Sequence, residues 1–316
     1  MNQLLSVVIA AFNHVEYIDD AIKSALAQSY DEFEVIVVDD GSDDGTRQAI
    51  SKYASALTIV DVERGGPSAC LNAGLRVCRG SFIAVMSGDD LSEPDRLTVQ
   101  LNTAFRCNSD ILFCVPNVVD GLGRPLTDSQ FPAFLPRSAS SDIDLSDLFY
   151  NGNYLCATSA FIRTSLLQDV GFFDESLVQL SDYEYWMRAM GSGFQLNLSL
   201  NRNVKYRRHN QNLSGPNTIS GSDAEAPYIL DRVLKSARPG VFRDSFANFL
   251  PPGEKGGAPL SNFEAALILF AHDSAAVRSM GIPYYDAARR SGELDALPNF
   301  CRTSFLINSL KRDPSA

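Results

Sequence analysis

Short apolar runs recur along the first 120 residues, and each ends in a cluster of turn residues. Leu5 to Ala11 (LSVVIAA), Glu34 to Val38 (EVIVV), Leu57 to Val62 and Phe82 to Met86 (FIAVM) largely lack polar alternation. That is the pattern of strands buried on both faces. Between them the period changes. Glu16 to Ser29 sets Ile18, Ile22, Ala25 and Leu26 on one face at helical spacing. Arg47 to Tyr53 reads as a short helix, and Gly65-Gly66-Pro67 opens another that runs to about Cys78, with proline near its first turn. Such strand–helix alternation predicts an α/β fold, a doubly wound and mostly parallel sheet with helices on both faces.

Further on, Arg96 to Phe105 is amphipathic and Ile111 to Val119 reads as one strand despite Pro116. Asp120 to Ser141 has the Gly, Pro and Ser content of a long loop. Asn151 to Arg163 carries a strand in its second half, Gly171 to Asp174 a turn, Ser181 to Met190 a helix and Phe194 to Leu200 a strand. Tyr206 to Ser214 (YRRHNQNLS) is basic and polar, and Asn217 to Ala224 has linker composition. The tail to Ala316 reads as mostly short helices, interrupted at Pro239-Gly240 and Pro251 to Gly257.

Composition narrows the partners. The 316 residues carry a formal net charge of -11, the wrong sign for a nucleic-acid footprint. The longest apolar run of the tail, Ala265 to Ala271, falls short of the roughly 18 residues of a membrane span. The first residues lack the pattern of a secretory signal. Six scattered cysteines without CxxC spacing fit the reduced thiols of a cytoplasmic protein.

Candidate chemistry begins in SFIAVMSGDDLSEP, Ser81 to Pro94, where a buried strand stops at Ser87-Gly88 and presents Asp89 and Asp90. Ligands of open α/β sheets bind beyond the carboxyl ends of strands, and carboxylates there suit Mg²⁺ or Mn²⁺ shared with phosphates. Capping the following helix is the plainer explanation, and this stretch alone leaves both open. The acidic turn DDGSDDGT, Asp39 to Thr46, mimics a calcium loop, but its twelfth position is Ser51 and a strand precedes it. Asp39 or Asp40 could instead accept hydrogen bonds from a base or ribose, or merely form the turn. Asp182, in the first turn of its helix, is either a cap or a general base. His209 lies among Arg207, Arg208 and Asn212, a cluster able to clasp a diphosphate, with the imidazole as metal ligand. His14 and His272 have no comparable sequence neighbours and receive no role. GxGxxG, GxxxxGK[ST] and GxSxG are all absent. A nucleotidyltransferase would share the sheet and the carboxylates, but no Gly-rich basic loop follows the first strand.

Four segments in order resemble the inverting family 2 nucleotide-sugar glycosyltransferases of GT-A fold. They are SVVIAAFNHVEYIDDAIKSALAQSYDEFEVIVVDDGSDDGT, GGPSACLNAGLRVCRGSFIAVMSGDD, VGFFDESLVQLSDYEYWMR and YRRHNQNLS, together covering about residues 4 to 214. The resemblance implies a GT-A domain over 1–214, with a nucleotide-binding half 1–120 and an acceptor half 121–214. A helical extension, 215–316, completes the chain. The same resemblance implies that Ala10, Ala11, Phe12 and Asn13 hold a pyrimidine, and that Asp39 or Asp40, the second foremost, hydrogen-bonds the base. Asp89 matches the last carboxylate of the DxD metal motif, with Ser87 replacing the first, where it would touch ribose or a metal-bound water. Asp182 matches the catalytic base, with Ser181 in place of the usual preceding Glu, and His209 a position that completes the metal shell. Arg207 or Arg208 is expected to clamp phosphate. Asp90 is expected to be structural.

Likeness to this family also implies the reaction, an inverting transfer from a UDP-sugar, with dTDP-sugar as second choice, assisted by Mn²⁺ or Mg²⁺. The acceptor is expected to be a surface glycan or a lipid-linked saccharide, met in the cytoplasm or at the inner membrane face, where the patches Arg289-Arg290 and Lys311-Arg312 are sparse docking candidates. Ser87, Ser181 and Ala10-Ala11 depart from the family pattern and motivate a rival expectation, a binding or scaffolding protein without turnover.

Overall fold

Three strand ends are brought level by register. In the computed structural model, β1 (Leu5–Ala11) pairs in parallel with β2 (Phe33–Asp39) and with β4 (Phe82–Ser87), so Ala11 lies beside Asp39 and Ala10 beside Ser87. The structure describes residues 3–127, 142–213, 219–250 and 258–296. Most of the Asp120 to Ser141 loop, the Pro251 to Gly257 interruption and Lys311-Arg312 lie outside them.

The chain forms two units, one of residues 1–143, 153–189 and 194–222, the other of 144–152, 190–193 and 223–316. In the first, β3 (Thr58–Asp61), β6 (Ile111–Cys114), β8 (Phe161–Arg163) and β9 (Leu196–Ser199) complete a seven-stranded sheet of order β3-β2-β1-β4-β8-β6-β9. Within this sheet β8 runs antiparallel to its neighbours, pairing with β4 on one side and β6 on the other, and the other pairings are parallel. The order reverses between β1 and β4, which makes the gap beyond their carboxyl ends the switch point where such sheets bind ligands.

Helices cover both faces, as the apolar strands require. Val7, Ile9 and Ala11 of β1 share a core with Ile18, Ala21, Ile22 and Ala25 of α1 (Ile18–Leu26), with Ala49 and Ile50 of α2 (Thr46–Ser51), and with Leu97, Leu101 and Ala104 of α4 (Arg96–Cys107). On the other face α3 (Pro67–Val77) approaches so closely that a Cβ on Gly74 would stand 3.0 Å from Val38 Cγ2 and closer still to Val8.

The expected single strand Ile111 to Val119 is two. β6 stays in the large sheet, whereas β7 (Asn117–Asp120) joins β5 (Leu91–Ser92) and β10 (Val204–Arg208) in a small sheet of order β5-β10-β7. Pro116 has no N–H to donate, which breaks the ladder between them. The basic stretch beginning at Tyr206 is likewise strand at its start, since β10 pairs with β7 from Lys205 to Arg208. The short helix α6 (Leu166–Asp169) and then α7 (Ser181–Gly191) complete this unit's helices, and α7 buries Trp186 edge-on against Phe113, ring centroids 4.9 Å apart.

The second unit is helical. α5 (Leu145–Asn151) supplies Phe149, which packs edge to face on Phe242 and Phe246 of the α9 (Pro239–Ser245) region. α8 (Ile219–Ser236) begins inside the stretch of linker composition. A helix's first turn has free N–H groups, so Ser and Gly cost little there. α10 (Asn262–Phe270) starts at a Ser261/Glu264 capping box and buries Phe263 and Ala265 through Phe270. α11 (Ala275–Arg290) packs on it where Gly281 admits the Phe270 ring. No helix among the described residues is long and apolar enough to cross a membrane.

Candidate functional site

The turn after β1 and the acidic turn after β2 are stitched together. Asn13, at φ 53°, donates its amide to Ser42 Oγ (2.9 Å) and accepts from the Asp43 amide (3.0 Å). Asparagine tolerates this left-handed conformation better than most residues. The His14 amide donates to Thr46 Oγ1 at 2.8 Å and the Val15 amide to Asp44 Oδ2 at 2.9 Å. Asp40, buried, accepts from the amides of Gly65 (2.8 Å) and Gly66 (3.0 Å), fixing the loop before α3. Asp39 is also buried, and its Oδ1 has no hydrogen-bond partner among the described residues. The Phe12 ring lies under the Arg64 guanidinium, 4.5 Å from its centroid.

Beyond β4 the two carboxylates part company. Ser87 donates its amide to Thr158 Oγ1 at 3.1 Å, and Gly88 to Ala10 O at 2.8 Å, which turns the chain across the end of β1. Asp89 Oδ2 is 2.9 Å from His209 Nε2, 3.3 Å from Asn212 Nδ2 and 3.8 Å from His14 Nε2, while its buried Oδ1 has no hydrogen-bond partner among the described residues. Burial alone pushes this carboxyl up, but the His209 hydrogen bond and the charge of His14 outweigh it and hold it below the ordinary value. Asp90 goes the other way, raised first by complete burial and then by the Asp89 charge. It accepts the Arg207 amide at 2.8 Å.

Of the two expected phosphate clamps, Arg207 is turned to the interior. Its guanidinium is buried and donates to the backbone oxygens of Asp89 (2.7 Å) and Gly121 (2.8 Å), over the ring of Tyr17. Those donors are spent on holding Asp89's backbone, so the residue positions the carboxylate from behind. Arg208 is exposed at the end of β10.

His209 comes next in the chain. Its ring stacks on Tyr17, centroids 4.6 Å apart, and its Nδ1 accepts the Gln211 amide at 3.3 Å. An accepting Nδ1 places the proton on Nε2, so Nε2–H donates to Asp89. A divalent cation can take that proton's place between imidazole and carboxylate. The unpartnered Asp89 Oδ1 adds an oxygen donor, and together these suit a hard or borderline ion. No ready cage of three such ligands exists among the described residues. One carboxylate with the remainder from phosphates and water is a usual provision for Mg²⁺, so Asp89 fits the ion, and the His209 imidazole adds a nitrogen donor beside it.

Asp182 sits in the first turn of α7, where Oδ2 accepts from Asn153 Nδ2 at 3.0 Å and Oδ1 from the Tyr183 amide at 2.7 Å. Below it, Glu184 is buried and pairs with Arg188 at 2.8 Å.

A protein-family model described as Glycosyl transferase family 2 matches residues 6–171, from the start of β1 through the turn before α7. The chain belongs to glycosyl transferase family 2. An uncharacterized glycosyltransferase of Rickettsia prowazekii (strain Madrid E) is 32% identical over 187 residues, 58% of this chain and 58% of that one. The poly(ribitol-phosphate) beta-N-acetylglucosaminyltransferase TarS of Staphylococcus aureus (strain Mu50 / ATCC 700699) is 29% identical over 191 residues, 58% of this chain and 32% of TarS. The matches thus span between about a third and three fifths of these relatives' lengths.

Among solved structures, S. aureus TarS 1–349 in complex with UDP-GlcNAc superposes with a TM-score of 0.58 at 19% identity, over 97% of this chain and 79% of that one. The mannosyltransferase PcManGT from Pyrobaculum calidifontis, in complex with GDP-Man and Mn²⁺, gives 0.59 at 17% identity, over 97% and 85%. At these identities the likeness concerns the fold, which is the expected mostly parallel α/β architecture followed by a helical region.

For a family 2 chain, several residues of this site carried no sequence signal. His14 was given no role in the sequence, yet its ring is edge-on to His209, 6.5 Å between centroids, and burial above all lowers its pKa. Tyr17 and Asn153 were equally silent. Asn212 was visible only as a member of the basic cluster.

Proposed function

We propose that this chain is an inverting glycosyltransferase that moves a sugar from a UDP-sugar to a hydroxyl of a glycan or lipid-linked saccharide. The contact between Asp89 and His209, with an unshared carboxylate oxygen beside it, supports this reading most directly. Asp89 and His209 would hold Mn²⁺ or Mg²⁺. The ion would neutralise charge gathering on the departing diphosphate.

The chain's own residues do the rest. The base is seated at the exit of β1 by Phe12 and Asn13, next to Ala10 and Ala11, with Asp39 or Asp40 as acceptor for an imide N–H. Ser87 faces ribose or the water around the ion. Arg207 fixes the Asp89 backbone, and Arg208 at the strand's exposed end meets phosphate. Asp182, oriented by Asn153, accepts the proton of the acceptor hydroxyl as that oxygen attacks the anomeric carbon. One displacement with no enzyme nucleophile inverts configuration at that carbon.

The TarS relative, named for transfer of N-acetylglucosamine to poly(ribitol-phosphate), supports a sugar donor of the UDP class and a polyol or glycan acceptor. The experiment is incubation with a panel of nucleotide-sugars, saccharide acceptors and Mn²⁺, reading nucleoside diphosphate release and the anomeric configuration of the product. UDP-sugar turnover with inversion supports the proposal. Retention, or no release with any donor, contradicts it, and UDP binding without release points to the rival binding protein.

A further inference from the structure

The loop that leads into α7 is gripped from two sides, and one side chain of α3 does most of the gripping. Asn72 is 1% exposed, and its carboxamide bridges the backbone of Phe173 in both directions. Nδ2 donates to Phe173 O at 2.9 Å, and Oδ1 accepts the Phe173 amide at 3.0 Å. The second hydrogen of Nδ2 goes to Glu175 Oε1, also at 2.9 Å. One turn further along α3, Arg76 meets the same carboxylate at 3.3 Å and lies over the Phe172 ring, 4.9 Å from its centroid. On the other side, Arg188 of α7 is anchored by buried Glu184 and donates to the carbonyls of Val170 and Phe172, the latter at 2.8 Å. The buried Phe173 ring then stacks on Tyr185 of α7, centroids 4.2 Å apart and planes 12° from parallel, and meets Trp186 edge-on at 5.7 Å.

We propose that Asn72 is a positioning residue for the transfer step, which by fixing Phe173 sets the head of α7 and with it the Asp182 carboxylate. This rests on the reading of Asp182 as the base and extends it to a residue to which the sequence assigned no role. Tyr185 is three residues beyond Asp182, so the two share a face of α7, and a shift of Phe173 reaches the turn that carries Asp182. The clamp acts on backbone, so it fixes the path of the loop itself. A carboxamide is the planar group that supplies a donor and an acceptor together, which is what one residue's C=O and N–H require. Truncating it strands both Phe173 groups in the interior, and the loop must move to satisfy them. A displacement of about 1 Å at a reacting group, caused from a distance, costs about a hundredfold in rate. The other end of α3 is secured independently, where Asp40 holds the Gly65 and Gly66 amides, so loss of the clamp leaves the donor side in place.

The test compares the full chain as wild type, Asn72→Ala, Asn72→Asp and the double variant Asn72→Asp/Glu175→Gln. It reads steady-state turnover of a UDP-sugar, UDP affinity with Mn²⁺ by calorimetry, and the emission of Trp186, the sole tryptophan of the chain. Asn72→Ala is expected to lower kcat by about ten- to a hundredfold, to leave UDP affinity and donor KM within about twofold, and to shift the Trp186 emission. Asn72→Asp sets a second carboxylate against Glu175 and should be as slow. Adding Glu175→Gln turns that repulsion into a hydrogen bond and keeps the acceptor for the Phe173 amide, so the double variant should regain at least about threefold in kcat over Asn72→Asp. That pair carries the test if Asn72→Ala does not fold. A lowered melting temperature with kcat and emission unchanged would make Asn72 merely structural and overturn the proposal. UDP affinity falling as far as kcat would overturn it by assigning Asn72 to the donor, and so would a double variant no faster than Asn72→Asp. Turnover undiminished in Asp182→Asn would contradict the base reading itself, a result distinct from those.

Discussion

His209 Nε2 stands 2.9 Å from Asp89 Oδ2, while the opposite nitrogen of the same ring accepts the Gln211 amide. Segments far apart in sequence, those after β4 and β10, are joined here at a carboxylate whose second oxygen the fold leaves unused. If this contact is the ion's seat, His209→Ala lowers Mn²⁺-dependent UDP affinity by about tenfold or more, and Asp89→Asn lowers it further. Calorimetry with and without Mn²⁺ checks this. Equal UDP affinity with and without the ion in wild type would contradict a role for the metal in UDP binding.

Gly88→Ala tests the packing behind that contact. A Cβ there would lie 2.7 Å from His14 Nδ1, 3.0 Å from Ala11 Cβ and 3.1 Å from Ile18 Cδ1. Two of these neighbours belong to a close-packed core, so the imidazole must move. We expect a loss of about 1–3 kcal/mol in urea denaturation, accompanied by weaker UDP binding.

Arg96 is a fully buried guanidinium that makes no ion pair among the described residues. It donates to the carbonyls of Val85 (2.9 Å) and Thr158 (3.0 Å), and to Gln100 Oε1 (2.9 Å) and Ser92 Oγ (3.1 Å). Burial pushes its pKa down to about 10, so it stays charged at neutral pH. Arg96→Met fits the volume but strands these acceptors in the interior. The expected loss is roughly 3–5 kcal/mol of stability by denaturant titration. A change below about 1 kcal/mol would show that water or repacking satisfies them.

Much of this architecture was legible because buried parallel strands announce themselves as unbroken apolar runs, and β1, β2 and β4 fall where those runs do. The small sheet was not. β5 has two residues and β7 four, too short to show a period, and β7 continues an apolar run that starts in another sheet. Only Pro116 marked the break. Within the site, Asp89 and His209 stood in recognisable segments. His14 stood in one too, but nothing in it set the histidine apart, because its place beside Asp89 and His209 comes from the chain's fold around Gly88. The burial of the Arg207 side chain was not legible either, because an arginine in a basic cluster looks exposed, and only the tertiary fold shows donors bound to the Asp89 and Gly121 carbonyls.

Acid should loosen the edge of the sheet through Glu34. Burial tends to raise its carboxyl. The Arg79 amide (2.6 Å), the Ser6 hydroxyl (2.8 Å) and the Arg79 guanidinium (2.7 Å) outweigh that and hold it below the usual carboxylate value. A folded pKa below the unfolded one gives stability that is complete above the unfolded value and is lost as pH falls through the folded one. Glu34→Gln should therefore be less stable than wild type at neutral pH, by about 1–2 kcal/mol, and the gap should close as pH falls below about 4. Urea midpoints across that range check it. A gap independent of pH would mean that the loss is steric.

In the proposed mechanism Asp182, at the head of α7, takes the acceptor's proton while Asp89 and His209 serve the diphosphate. Its most direct test is UDP release from a UDP-sugar and acceptor, compared between wild type and Asp182→Asn at matched UDP affinity. Asp182→Asn is expected to bind UDP as wild type does and to release it from donor at least about a hundredfold more slowly. Turnover undiminished in Asp182→Asn would contradict the claim.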